Sequence, residues 1–563
     1  MFCCPGCLRS RRTFLAADAP AGAPVDAPAS APVDAPGGAP SATRWIDVHC
    51  HVFNSLDLPV NEFIDQTRLS GPLALPEAML IAIAAGFIQN ASPTAQAEAA
   101  QLNGEAAAWE PPPSRDTQAA LRALAQPPAA AADTHAFPPP PSRGNDLLRD
   151  AANSVNGTAA PPGTPVSDDE IAQLAERIEN DDTLLRMLNW AGSFSRARND
   201  IVTSLLRQFS GGAKPMLTPA LIDYNRWLAI AADSDAERLM SPLADQLGVM
   251  AAVSRVRALA GVPVFAFAPF DPWRYLEDQH AGRDDILKIA QPFIDAGSII
   301  GFKVYPPMGF AAAGNASRPA ASFPTALQHL TNERPGAALD QAMSDLFQFC
   351  VGRDVPILAH CANSNYREAD GSALWASPVH WQAALSLFPS LRLNFGHFGG
   401  VWDFAASHRA SATDQDGAAE ILAQGWARII IGMMPDHPNI YADVAFANTL
   451  LPTDNDPELQ ATWAFLHDML GGNPVLGDRL MYGSDWEMVG EAAGGDDYAS
   501  ALMRNVQTLF SDPAVEKFRW RNAARFLGLG ENDKTRGRLE GFRGSIGADA
   551  NLLVPFDPDA PSA

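Results

Sequence analysis

The chain has 563 residues, a formal net charge of −24, 47% hydrophobic and only 18% charged residues. That is enough apolar material for one large decorated domain, and it excludes disorder of the chain as a whole. The acidic balance, with no clustered Lys/Arg stripe, excludes a nucleic acid partner, because phosphate neutralisation requires such a cluster.

At the N-terminus Cys3, Cys4 and Cys7 crowd together without a fourth ligand nearby. Six cysteines in so long a chain do not make the disulfide framework of a small secreted domain, so a reducing, cytoplasmic setting is expected. Ser10-Arg11-Arg12-Thr13-Phe14-Leu15 looks like a twin-arginine export signal, yet Ala-Asp-Pro repeats follow where an apolar stretch should stand. Export is therefore the alternative localisation. Residues 16–42 alternate Ala, Pro, Val, Asp and Gly without period, and residues 1–43 are read as a disordered leader and linker. The longest apolar run, Ala78 to Ile88, is too short to cross a membrane.

The first strand-like run is Trp45-Ile46-Asp47-Val48-His49-Cys50-His51-Val52-Phe53. After it the pattern turns irregular for far longer than an ordinary loop, which marks residues 60–210 as an insertion. Proline clusters at Pro111–Pro113, Pro127–Pro128, Pro138–Pro141 and Pro161–Pro165 mark extended chain, whereas Ser167-Asp168-Asp169-Glu170 reads as a capping box. Ile171, Leu174 and Ile178 then give the helix it opens one apolar face. Because the insertion leaves the loop just after His51, it is expected to fold as a mainly helical cap over the face that carries the histidines.

From residue 216 onward, short apolar runs alternate with helix-length segments. The runs are Met216 to Asp223, Val262 to Asp271, Ile299 to Tyr305, Pro356 to His360, Leu391 to His397, Asn439 to Val444 and Leu480 to Trp486. With the first run they make eight βα units, and eight such units close into an α/β (β/α)8 TIM barrel over residues 44–535, with 536–563 as a C-terminal tail. A doubly wound open sheet is the competing fold, but no Gly-rich phosphate turn follows the first strand.

Several runs end in reactive residues. His49 and His51 stand two apart on a strand, so both imidazoles leave one face, roughly 6.6 Å apart at the backbone. A lone HxH is a weak motif, and a lone strand-end histidine such as His360 or His397 is more often a satisfied polar cap. Asp485 alone reads equally well as a helix N-cap. Their joint placement at the ends of strands one, five, six and eight, where a barrel keeps its active site, favours a shared cavity. Asp223, Asp271 and Asp443 end the second, third and seventh runs; helix capping is the ordinary role of such aspartates, and contact with a substrate the less frequent one.

His49-Cys50-His51, His360, His397 and Asp485, with Gly301-Phe302-Lys303-Val304-Tyr305-Pro306-Pro307, Leu480-Met481-Tyr482-Gly483-Ser484-Asp485-Trp486 and Asn522-Ala523-Ala524-Arg525-Phe526-Leu527, resemble the amidohydrolase superfamily. The likeness is to its second large, amidohydrolase-related family, which holds both hydrolases and decarboxylases. It covers roughly residues 44–53 and 215–530 and leaves out the insertion and both tails. The resemblance implies that His49, His51, His360 and Asp485 bind a divalent metal. Imidazoles with a carboxylate suit Zn²⁺ and leave a position for water, whose pKa such a metal lowers to about 7. It also implies that Asp485 accepts the water's proton and that His397 orients or protonates the leaving group.

Lys303 has two readings. A carboxylated Lys303 would bridge two metals and make His397 a ligand, whereas an unmodified Lys303 offers a cation to a carboxylate or oxyanion. The phrase matches favour the unmodified residue and one metal ion. Expected activities are hydrolysis of an amide, ester or lactone in a small-molecule substrate or, alternatively, decarboxylation of an aromatic or unsaturated acid. A non-catalytic binding protein on a barrel scaffold is the third reading. Homo-oligomerisation is left open by the sequence.

Overall fold

The computed structural model of the protein describes residues 43–59, 92–104, 193–209, 213–362, 372–400, 418–446, 466–467, 470–486 and 498–560. Eight short strands follow one another: β1 (Arg44–Cys50), β2 (Lys214–Pro219), β3 (Ala266–Phe270), β4 (Ile299–Val304), β5 (Ile357–His360), β6 (Leu393–Gly396), β7 (Ile440–Asp443) and β8 (Leu480–Met481). β1 pairs with β2 and β3 through β8 pair in sequence, all in parallel. Bridges at Leu217–Val264 and Ala220–Phe267 join β2 to β3. The ring closes where Val48 N donates to Tyr482 O (3.3 Å) and Asp485 N to His49 O (2.7 Å). These contacts make the sheet a barrel, as the rhythm of the apolar runs predicts.

Helices fill the connections. They include α1 (Ala95–Leu102), α2 (Arg198–Leu206), α3 (Leu243–Leu259), α4 (Pro272–His280), α5 (Ile286–Asp295), α6 (Pro335–Arg353), α7 (Trp381–Leu387), α8 (Ala418–Met433), α9 (Tyr498–Leu509), α10 (Asn522–Leu527) and α11 (Lys534–Ser545). Local chemistry sets several starts. Asp271 caps α4 by accepting from Trp273 N, with Pro272 at the first helical position, and Asp285 caps α5 through Lys288 N. No helix among the described residues is long and apolar enough to cross a membrane.

Period-two alternation sorts the strand residues. On β5, Ile357 and Ala359 join the outer core under the helices, and Leu358 and His360 point inward; on β7, Ile440 and Ala442 face out while Tyr441 and Asp443 face in. The inner positions are apolar low in the barrel and polar at its upper, C-terminal end. Below them Trp520, Phe526, Phe542, Leu553 and Phe556 pack against Ile46, Phe265, Phe267, Leu358 and Met481 and form the floor. Leu539, Phe542, Leu553 and Phe556, from the C-terminal residues, pack into this floor.

Two pieces of the insertion are described. α1 lies along α3, with Gln96 Nε2 on Asp245 Oδ2 (2.9 Å) and Arg255 Nη2 on Asn103 Oδ1 (3.0 Å). Arg257 Nε holds Asn199 Oδ1 of α2 (2.7 Å). Both pieces therefore join the outer helical layer. They are tied to the chain after β1 by the fully buried Arg198, which reaches Asp57 Oδ1 (2.6 Å), Glu98 Oε2 (3.0 Å) and Asn54 Oδ1 (3.2 Å). The capping box Ser167–Glu170 and the cap expected over the mouth fall outside the described residues.

Candidate metal centre

Strict alternation does not by itself bring His49 into the barrel. Ile46 and Val48 already point inward to the floor cluster, and a register shift between Asp47 and Cys50 inserts an extra residue opposite β2. That bulge moves the strand's phase, so Cys50 packs outward with Trp45 while His49 and His51 turn to the interior. Two glycines leave the room His49 needs. A Cβ on Gly396 would lie 2.8 Å from the His49 ring, and one on Gly483 2.9 Å from His49 Cβ. His397 and Asp485 reach the centre through backbone turns rather than through the pleat, with φ of +68° and +57°. Non-glycine residues in this region mark a constrained segment, and Asp485 is a type that tolerates it.

The surroundings of each imidazole decide where its proton sits. His49 Nδ1 lies 3.2 and 3.1 Å from the two oxygens of Asp443, which is held well below the usual carboxylate range by His49 and by backbone and imidazole donors despite its burial. An ionised carboxylate only accepts, so His49 Nδ1 carries hydrogen and Nε2 a lone pair. His51 Nδ1 donates to Ala220 O (2.7 Å), leaving its Nε2 bare in the same way. Both bare nitrogens face Asp485 Oδ1, at 3.5 and 3.0 Å. Burial, then the charge of Lys303, lowers the His49 pKa to about 3, so this ring is neutral at pH 7.

Three electron-rich atoms, one each from His49, His51 and Asp485, thus lie within 4.8 Å of one another, all buried. Such a convergence of lone pairs is offset by a cation. Lys303 Nζ, 2.9 Å from His49 Nε2, supplies one from the side, and its own pKa is lowered by burial to about 8. The donor set fits a divalent metal of the kind that takes imidazole and carboxylate ligands.

His360 stands beside that trio of donors. It faces the cavity, but none of its nitrogens lies within 4.8 Å of all three of those donors. His397 Nδ1 donates to Ala445 O (2.9 Å), so His397 Nε2 accepts, and His360 Nδ1 donates to it at 3.1 Å. His360 Nε2 is left buried without a hydrogen-bond partner, an orphaned acceptor at the edge of the donor cluster. The Tyr305 ring lies over His360 at a centroid distance of 4.2 Å.

The three rim aspartates separate. Asp271 is a helix cap that also accepts from Trp227 Nε1 (2.8 Å), and Asp223 pairs with Arg274 Nε (2.5 Å). Asp443 instead organises the centre. It accepts from His49, from Asn394 Nδ2 (2.7 Å), and from the backbone N–H groups of His397 and Ala445 (3.0 Å each). The sequence pattern gives Asp443 as a strand-end aspartate and does not mark Asn394; a strand-seven carboxylate facing a strand-one histidine is the available signal.

Fold and site together define a (β/α)8 barrel with a buried histidine–carboxylate centre at the C-terminal ends of its strands. Residues 316–529 match the family model described as amidohydrolase. Over that stretch, which takes in β5 to β8, the chain is similar to the amidohydrolase family. No curated protein matches the chain. Among solved structures it is similar to an amidohydrolase of Burkholderia multivorans with bound HEPES (12% identity, 60% of this chain and 91% of that one, TM-score 0.35). It is similar also to an uncharacterized TIM-barrel protein of Bordetella bronchiseptica (14%, 60% and 84%, 0.34). A third is the 5-carboxyvanillate decarboxylase of Novosphingobium aromaticivorans complexed with manganese (14%, 64% and 92%, 0.30).

Proposed function

We propose that the protein is a metal-dependent hydrolase of an amide, ester or lactone bond, with His49, His51, His360 and Asp485 holding one divalent ion, Zn²⁺ being the first candidate. The observation that carries this reading is the buried cluster of His49, His51 and Asp485 donors, with both histidine tautomers set so that Nε2 is free to ligate. His360 joins through its orphaned Nε2 after a side-chain rotation. When bound, the metal would lower the pKa of a water and polarise the substrate carbonyl.

The chain's own groups do the rest. Asp485, ringed by His51, His397 and His49 and held well below the usual carboxylate range despite its burial, is ionised and would accept the proton of the attacking water. Lys303 stands beside the centre as a cation for the oxygen that gains charge as the carbonyl carbon becomes tetrahedral. His397, whose Nε2 stands beside His360, would take up the proton that Asp485 draws from the water and pass it to the departing nitrogen or oxygen, so that the proton taken from water leaves with the product.

Lys303 also supports a second reading. A buried ammonium beside the centre would hold the carboxylate of an aromatic or unsaturated acid before decarboxylation. The experiment is to strip the purified protein of metal, reload it with Zn²⁺ or Mn²⁺, and assay lactones, esters, amides and aromatic acids. Metal-dependent turnover of the first three supports hydrolysis, and carbon dioxide release from the last supports decarboxylation. Activity that survives both chelation and His49→Ala refutes the metal-dependent reading altogether.

A further inference from the structure

The ladder between β7 and β8 ends at the Asp443–Met481 pair, so Asp485 lies four residues beyond the last strand residue. It also sits at a positive φ. Something else must hold its carboxylate against the strand-one histidines. The fully buried Asp47 is in place to do so. Its carboxylate accepts from Ser484 Oγ (2.6 Å) and Ser484 N (3.0 Å) and lies 3.4 Å from His49 N. Ser484 Oγ in turn accepts from Trp486 N (3.0 Å). One carboxylate therefore secures the residues on both sides of Asp485 and reaches the backbone of His49.

We propose that the Asp47–Ser484 pair is a positioning device for the metal centre: it sets the separation of Asp485 from His49 and His51, and so the affinity for the ion. The inference rests on the metal-dependent reading above. Its geometry is specific to this pair. The backbone bonds Asp485 N to His49 O (2.7 Å) and His51 N to Trp486 O join the same two segments, but they do not select the turn at residue 485. Ser484 supplies that selection, because its N–H and O–H both point into one acceptor on the neighbouring strand. Thr218 Oγ1 donates to the carbonyl of Asp47 (3.1 Å) and anchors the residue from the β2 side.

The test uses the full chain stripped of metal, with Asp47→Asn, Ser484→Ala and His49→Ala compared with wild type. Zn²⁺ affinity is measured by competition with a chromophoric chelator, geometry by the visible spectrum of the Co²⁺-loaded protein, and stability by thermal unfolding of the metal-free form. Loss of a group that orients a ligand typically costs about 10–100-fold in metal affinity. That loss is expected in both Asp47→Asn and Ser484→Ala, with an altered Co²⁺ spectrum. A merely structural pair would lower the unfolding temperature and leave affinity and spectrum alone, which overturns the proposal. If Asp47→Asn does not fold, the milder Ser484→Ala decides by the same criteria. Zinc lost in His49→Ala but retained within twofold in the other two variants refutes the positioning role alone. Zinc retained in His49→Ala refutes the metal centre with it.

Discussion

Replacing Lys303 by Met should make the metal-free protein more stable while removing its activity. Lys303 is fully enclosed, and burial outweighs the attraction of Asp485 and Asp443, bringing its pKa from 10.5 to about 8. Below pH 8 both folded and unfolded chains carry the proton, and the fold bears the whole cost of desolvating it. Between about 8 and 10.5 the unfolded chain holds a proton that the folded one has released, so stability rises with pH; above 10.5 the difference is constant. The gap between 10.5 and about 8, at about 1.36 kcal/mol per pH unit, corresponds to on the order of 3 kcal/mol. Lys303→Met keeps most of the length of the side chain and removes the charge, so it should be more stable than wild type by up to that amount at pH 7. The advantage should shrink as pH rises from 8 to 10.5. Urea unfolding of both proteins at pH 7 and 10.5, with chelator present, measures it. A Met variant that is less stable at pH 7, or an advantage unchanged at pH 10.5, would refute the reasoning.

His397→Ala should lower turnover by about 10²–10⁴ with near-normal metal content, the usual worth of a positioned acid–base imidazole; a loss of half the metal would instead indicate two ions and a carboxylated Lys303. Gly396→Ala places a methyl 2.8 Å from the His49 ring and should weaken Zn²⁺ binding by at least tenfold in a chelator competition, whereas unchanged affinity would show that the ring yields freely. Arg198→Met leaves the buried carboxylates of Asp57 and Glu98 unpaired and should cost about 3–5 kcal/mol in urea unfolding. A cost below 1 kcal/mol, about the worth of an exposed pair, would contradict the burial described for that knot.

The eight strands were legible because inward and outward packing demand apolar runs of strand length, and because each run ends at the level of the polar mouth. His49, His51, Lys303 and Asp485 could be singled out for the same reason: they are reactive residues at the ends of such runs. What escaped the pattern are arrangements that depend on backbone detail. Simple spacing puts His49 and His51 on one face, but it is the bulge after Asp47 that turns that face inward. The pairing of His360 with His397 depends on a left-handed turn at residue 397, a conformation that histidine tolerates but that its identity alone does not announce. Asp443 reads as a cap because most strand-end aspartates are caps; only the closure of the barrel brings it under His49. The floor built from Phe542, Leu553 and Phe556 was read as a tail because its apolar residues are sparse and without period.

The clasp between Asp47 and Ser484 spans 437 positions of sequence. A growing chain therefore exposes its two strand-one histidines long before the carboxylate that faces them exists, and before the residues that floor the barrel have been made. The histidine–carboxylate cluster is accordingly completed late in synthesis. Contacts of such sequence separation are slow to form and leave strand edges unpaired in the interval, when an unfinished chain is most exposed to aggregation.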